Sequence, residues 1–162
     1  MAIYYTVNRK EKYHDYQSKE DVINYILNPV KIPIGCVGFM NVDPQNPVRS
    51  MHECSASFGK DKGVQIRHFV VSFKSGEIPN FITANSIAKE LMFYIGQEFP
   101  VIYAVHVNKE NIHFHMAFNN VSINGKRYYG NKTEFFAMIN ALRRILKKYG
   151  ISELQTKYYK EQ

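Results

Sequence analysis

The stretch that most constrains this chain is Tyr103-Ala-Val-His106-Val-Asn108-Lys-Glu110-Asn-Ile-His113-Phe-His115-Met-Ala-Phe-Asn119. Side chains alternate across a β-strand. His113, His115, Ala117 and Asn119 therefore share one face, and Ile112, Phe114, Met116 and Phe118 share the other. A polar connection, Asn108 to Asn111, joins this strand to Tyr103–Val107. A hairpin closed symmetrically about that loop sets Val107 opposite Ile112 and His106 opposite His113, at a Cβ separation of about 4.5–5.5 Å. His106, His113 and His115 then converge on one patch. Imidazole is the commonest metal ligand among side chains. Three imidazoles without a protein carboxylate leave coordination positions vacant, which marks a catalytic rather than a structural metal. The all-nitrogen donor set by itself favours a transition metal such as Zn2+ or Ni2+, because Mg2+ prefers oxygen. Such a metal suits phosphoryl chemistry, and the nucleophile would be water or a tyrosine hydroxyl. With 12 Tyr in the chain, composition does not choose among them.

A chain of 162 residues fits a single domain over 1–162. Lys+Arg 21 against Asp+Glu 14 gives a net charge of +7. That balance points to a polyanionic partner, with nucleic acid first and an acidic membrane surface second. The Tyr and Phe residues among these cations are what single-stranded nucleic acid stacks on, although most of them are expected in the core. Cys36 and Cys54 make no disulfide framework, so a reducing cytoplasm is expected. Their spacing with His52 matches no zinc pattern. No signal peptide and no apolar run of about 18 residues is present, so no membrane insertion is expected.

Ala2–Val7 reads as a first strand, followed by a polar linker from Asn8 to Gln17. Ser18 is the expected N-cap of a helix over Lys19–Leu27, with Val22, Ile23 and Ile26 as its buried stripe and Tyr25 at the stripe's edge. Asn28-Pro29 stops it. Val30 to Gly63, broken by Pro33, Pro44, Pro47, Gly35 and Gly38, is expected to be irregular, with a short strand near Cys36–Asn41. Phe58–Gly63 reads as a basic turn. Gln65–Phe73 alternates as a central strand, with His68 beside Val70 on one face. Thr83 is expected to cap a helix to about Glu98 that carries Ile87, Leu91 and Ile95. Asn124-Gly125 is a hairpin turn signal between Val121–Ile123 and Lys126–Tyr129. Asn131 or Thr133 opens a long helix to Tyr149, with Gly150 as the residue beyond its end. The tail after Ile151 is a final strand or an extended arm. The expected fold is α+β: an antiparallel central sheet of about five strands, with helices against one face and the histidines on the other.

Several segments together carry a resemblance. One is His68-Phe-Val-Val-Ser-Phe73-Lys-Ser-Gly-Glu77, followed by a helix. The others are Val105-His106, Ile112-His113-Phe-His115-Met-Ala-Phe-Asn119-Asn-Val and Asn124-Gly125-Lys126. They resemble the relaxase/mobilisation nucleases of plasmids and conjugative elements, MOBP type, a branch of the HUH endonucleases. Val22-Ile-Asn-Tyr25-Ile-Leu-Asn28-Pro29-Val-Lys31 is similar to the family's nucleophile-bearing helix. The resemblance implies strand-specific nicking of single-stranded DNA at a transfer origin. Tyr25 would be the nucleophile, and His106, His113 and His115 would hold Mg2+ or Mn2+. Accessory mobilisation proteins would be partners. Asn108 stands where the family commonly carries an acidic residue, so support for the site is sought in His68, Glu77, Asn108, Glu110 and Asn119. Lys31, Lys60, Lys62, Arg67, Lys126 and Arg127 are the candidate DNA contacts. The rival readings are a single-tyrosine HUH transposase using Tyr149 and a non-catalytic nucleic-acid-binding module.

Overall fold

The computed structural model describes residues 1–7 and 14–159, so residues 8–13 of the expected linker Asn8–Gln17 lie outside the described residues, and its last two, Tyr16 and Gln17, belong to a helix. In chain order the elements are β1 (Ala2–Val7), α1 (Tyr16–Ile26), a 3-10 turn (Pro29–Lys31), β2 (Val37–Met40), α2 (Pro47–Ser57), β3 (Ile66–Ser72), α3 (Phe81–Ile95), β4 (Val101–His106), β5 (His113–Asn119), α4 (Lys132–Lys148) and β6 (Leu154–Tyr159). The strands form one sheet in the order β2-β4-β5-β3-β1-β6. The fold class is α+β as expected, with six strands rather than about five. All neighbours are antiparallel except β1 and β6, which run parallel along Ala2–Val7 and Leu154–Tyr159.

The alternation of β3, β4 and β5 sorts their side chains into two cores. On one face Phe69, Val71, Tyr103, Val105, Phe114, Met116 and Phe118 pack against Ile87, Leu91 and Ile95 of α3 and Leu142, Ile145 and Leu146 of α4. On the other, Ile66, Ile102, Ala104 and Ala117 pack against Val22, Ile23 and Ile26 of α1 and Met51 of α2. Helices thus cover both faces, which corrects the expectation of helices on one face only. The reason lies in the apolar residues of the histidine face. Left bare, Ile66 and Ile102 would each forgo the roughly 1.5–3 kcal/mol that burying a large aliphatic side chain contributes.

α2 falls inside the stretch expected to be irregular. Pro47 is tolerated there because it sits in the first turn, where no intrahelical donor is needed. Met51 and Ser55, one turn apart, supply its buried face. The caps also differ from expectation. Asp15, not Ser18, caps α1, accepting from the Ser18 backbone N–H at 2.7 Å and from its hydroxyl at 2.6 Å. A carboxylate accepts these more strongly than a hydroxyl and favours the positive helix end. These bonds hold the Asp15 carboxyl below its ordinary range. Asn80 caps α3 through the N–H groups of Ile82 and Thr83. That helix ends at Ile95 instead of Glu98, with Gly96 donating to the Met92 carbonyl at 2.7 Å. α4 begins at Asn131 with a full capping box to Glu134. Gly150 follows its end at φ 77°, the left-handed conformation expected there.

The second hairpin is reduced to a turn with one bridge, Val121 to Arg127. Gly125 is required at that turn. Its φ is 85°, and a Cβ there would meet the Phe58 ring.

Candidate active site

The β4–β5 hairpin has the register expected of it, with His106 paired to His113 and Ala104 to His115. The three imidazoles are buried, and their ring centroids lie 4.3 to 5.5 Å apart. One ring nitrogen from each lies within 4.8 Å of the others. Hydrogen bonds fix which nitrogen of each ring carries the hydrogen and which the lone pair. The Ile26 carbonyl is 2.8 Å from His106 Nε2. A carbonyl only accepts, so Nε2 carries the hydrogen and the lone pair is on Nδ1. His106 Nδ1 is buried and has no hydrogen-bond partner. His113 Nδ1 donates to the Asn111 carbonyl at 2.9 Å, which frees Nε2. His115 Nδ1 lies 2.8 Å from His68 Nε2. With Nδ1–H donating there, the lone pair of His115 is also on Nε2. Burial is the largest cause holding all three imidazoles below their ordinary range, and in His115 the lowering is strong. They are therefore neutral, the form that binds a metal. The orphaned Nδ1, the three directed lone pairs and the neutral charge state fit a divalent ion.

α1 is packed on this same face through Val22, Ile23 and Ile26, and it brings Tyr25 to the histidines. The Tyr25 ring meets His115 edge-on at 5.4 Å and His106 at 6.2 Å, while 47% of the residue stays exposed. Its helix is held at its end. Ile26 supplies one of the carbonyls that a helix C-terminus leaves unsatisfied, and His106 donates to it. The chain then turns so that the Lys31 carbonyl accepts from Val107 N–H at 3.0 Å and Lys31 Nζ stands 4.1 Å over the Tyr25 ring. Tyr25, His113, His115 and His68 line a cavity of about 660 Å³ together with Asp21, Ser72, Lys109, Glu110 and Asn111.

The remaining sequence-nominated residues divide. His68 and Glu110 are in the cavity; His68 reaches it by supporting His115. Asn119 is buried beyond it, bonded to Lys19, Ser55 and the Val121 carbonyl. Asn108 is exposed in the hairpin loop. Glu77 is engaged elsewhere, by the Met1 amino group at 2.6 Å and the Lys74 N–H at 2.9 Å. Lys60 donates to the Gly125 carbonyl. Arg127 donates to the Lys62 carbonyl at 3.0 Å. Arg67 donates to Asn120 and the Tyr128 carbonyl. Lys62 and Lys126 are exposed. Tyr149 is on the α3/α4 side of the sheet, and its hydroxyl donates to Glu90 at 2.7 Å. Cys36 lies in the α3/α4 core, whereas Cys54 is on α2. Sequence reasoning missed the Ile26 carbonyl, Ser72, Asp21 and Lys19. Of these, Lys19 left a signal: with Val22, Ile23 and Ile26 it completes an i, i+3, i+4, i+7 stripe.

Residues 25–151 match the family model described as "Relaxase: MobA/VirD2-like, nuclease domain". A Protein rlx of Staphylococcus aureus is 30% identical over 96 residues, covering 59% of this chain and 30% of the relative. A second Protein rlx of the same species is 27% identical over 114 residues, covering 70% and 36%. Protein TraI of Escherichia coli is 36% identical over 61 residues, covering 37% of this chain and 8% of the relative. The chain thus spans about a third or less of the length of these curated relatives. A solved structure described as "Molecular Basis of Vancomycin Resistance Transfer in Staphylococcus aureus" superposes with a TM-score of 0.48 at 15% identity, over 81% of this chain and 77% of that chain.

Proposed function

Because this chain belongs to the MobA/VirD2-like relaxase nuclease-domain family, we propose that it cuts single-stranded DNA at a transfer origin through a covalent phosphotyrosine on Tyr25. The observation that carries this reading is the meeting of the Tyr25 ring with those of His106 and His115, beside a cavity that Tyr25, His113 and His115 line. Tyr25 Oη gives up its proton as it attacks the scissile phosphorus. The bond from phosphorus to the 3′ oxygen breaks, and a proton taken up by that oxygen gives a free 3′-OH. The 5′ end stays on the tyrosine. One phosphoester replaces another, so the step is reversible and the link can be passed to a second 3′-OH.

His106 Nδ1, His113 Nε2 and His115 Nε2 would hold the metal, Mg2+ or Mn2+ in the family. A divalent ion held there would supply polarisation of a phosphoryl oxygen and would offset the charge that builds on the phosphate. The protein's own groups do the rest. Lys31, over the Tyr25 ring, favours negative charge developing on the phenol oxygen. His68 fixes the ring orientation of His115, and Asn111 that of His113. The neutral imidazoles add no charge of their own for the ion to overcome.

The test uses single-stranded oligonucleotides tiling both strands of the DNA that flanks the protein's own gene, with Mn2+, on a denaturing gel. A covalent adduct that survives Tyr149→Phe and disappears in Tyr25→Phe supports the reading. The reverse pattern supports a transposase-like use of Tyr149. Binding without any adduct supports a non-catalytic module.

A further inference from the structure

Lys19 has no part in the reaction above, yet it is fully buried, with 0% exposure. Taking an ammonium out of water costs several kcal/mol unless it is well partnered. Here its hydrogen bond runs from Nζ to Asn119 Oδ1 at 2.9 Å. Burial pushes the amine down to about 8. A methionine at this place on the stripe would fill the same volume without that penalty, so hydrophobic packing does not account for the lysine.

The position of its partner does. Asn119 is itself 0% exposed and ends β5, four residues after His115. Its Nδ2 donates at 2.9 Å to Ser55 Oγ on α2 and at 2.9 Å to the Val121 carbonyl. One amide therefore joins α1, α2 and the strand that carries His113 and His115. At the far end of α1, the Ile26 carbonyl accepts from His106. Tyr25 sits between these two polar contacts. Apolar contacts tolerate small slides and rolls of a helix, whereas a buried hydrogen bond between two fixed groups has one register. A single buried polar pair sets register in coiled coils by the same logic, at a cost in stability.

We propose that Lys19 is a positioning residue: its buried bond to Asn119 sets the register of α1 on the sheet and so places Tyr25 over the histidine site. The catalytic consequence rests on the reading of Tyr25 given above. The placement of α1 does not.

The test compares the full chain with Lys19→Met, which keeps the volume and removes the donor. Three readouts are taken: amide hydrogen exchange by element, adduct formation in single turnover at saturating oligonucleotide with Mn2+, and oligonucleotide affinity by fluorescence anisotropy. Exchange across residues 16–26 should rise about tenfold or more, with α3 and α4 within about twofold. The adduct rate should fall about tenfold with affinity within about twofold, as expected for a group that acts through placement of the nucleophile. Should Lys19→Met fail to fold, Lys19→Gln, polar but too short to span the same distance, makes the same comparison. Unchanged exchange in α1 overturns the proposal, as does exchange that rises equally in every element. Faster α1 exchange with an unchanged adduct rate also overturns it. If the parent protein forms no adduct, the phosphotyrosine reading fails, while the exchange pattern still decides whether Lys19 sets the register of α1.

Discussion

His106, His113 and His115 are buried where protonation is disfavoured, and that makes the site sensitive to acid. A group whose folded pKa is depressed binds fewer protons folded than unfolded. Its stabilising effect is present above the unfolded value, about 6.5 for imidazole, and is lost as pH falls through the folded one. Desolvation depresses all three. In chelator, the melting temperature should therefore decline as pH drops below about 6.5. His115→Gln, which cannot take a proton, should make that decline less steep. At pH near 7.5, added Mn2+ should raise the melting temperature of the parent and of Tyr25→Phe by mass action, and should not raise that of His113→Ala. A thermal series in pH and metal checks both. At this scale the sequence was informative wherever a short connection enforced a register: the polar loop at Asn108–Asn111 leaves His106 little choice but to face His113. It was silent on which nitrogen of each ring carries a hydrogen. That depends on carbonyls brought from elsewhere, Ile26 being 80 residues from His106.

The elements that hold the site are the short ones. α1 buries Val22, Ile23 and Ile26 on the histidine face, and α2 closes over them with Met51. Ile23 is fully buried, so Ile23→Ala should cost about 2–5 kcal/mol in urea unfolding, the range for large-to-small changes in a core. On the opposite face, Asn131→Ala removes one half of the capping box of α4 and should cost about 1 kcal/mol. It should leave the adduct rate unchanged, because α4 is separated from Tyr25 by the sheet. Strong periodicity made α3 and α4 legible, with ends shifted by a few residues where Asn80 and Gly96 do the capping. α2 was not legible. The prolines and glycines of the stretch around it argue locally for irregular chain, and its helical state follows from what it covers. Nor does local pattern reveal that β6 pairs with β1 in parallel, since that contact joins the two ends of the chain.

Across the whole molecule the surplus of positive charge is not one surface with one role. Arg67, Lys60 and Arg127 spend their donors on backbone or amide oxygens that dock the loops around Gly125 and Tyr128. Arg67 is partly buried, and desolvation lowers its pKa. Lys62 and Lys126 flank the same loops but stay exposed. The two kinds of cation should separate in experiment. Each phosphate neutralised on a single strand contributes a slope of about −0.7 to log affinity against log salt. If Lys62 and Lys126 each meet a phosphate, replacing both with alanine should flatten that slope by about 1.4 while the melting temperature holds. Arg67→Ala should do the reverse: it leaves the Asn120 amide oxygen and the Tyr128 carbonyl without a donor, which costs about 1–3 kcal/mol for each buried group left unsatisfied. Oligonucleotide titrations at several salt concentrations, paired with thermal melts, read both quantities on the same variants. A salt slope unchanged in the lysine double variant would move the DNA path off the Gly125 loops and toward the cavity beside Tyr25, where Lys31 and Lys109 supply the charge.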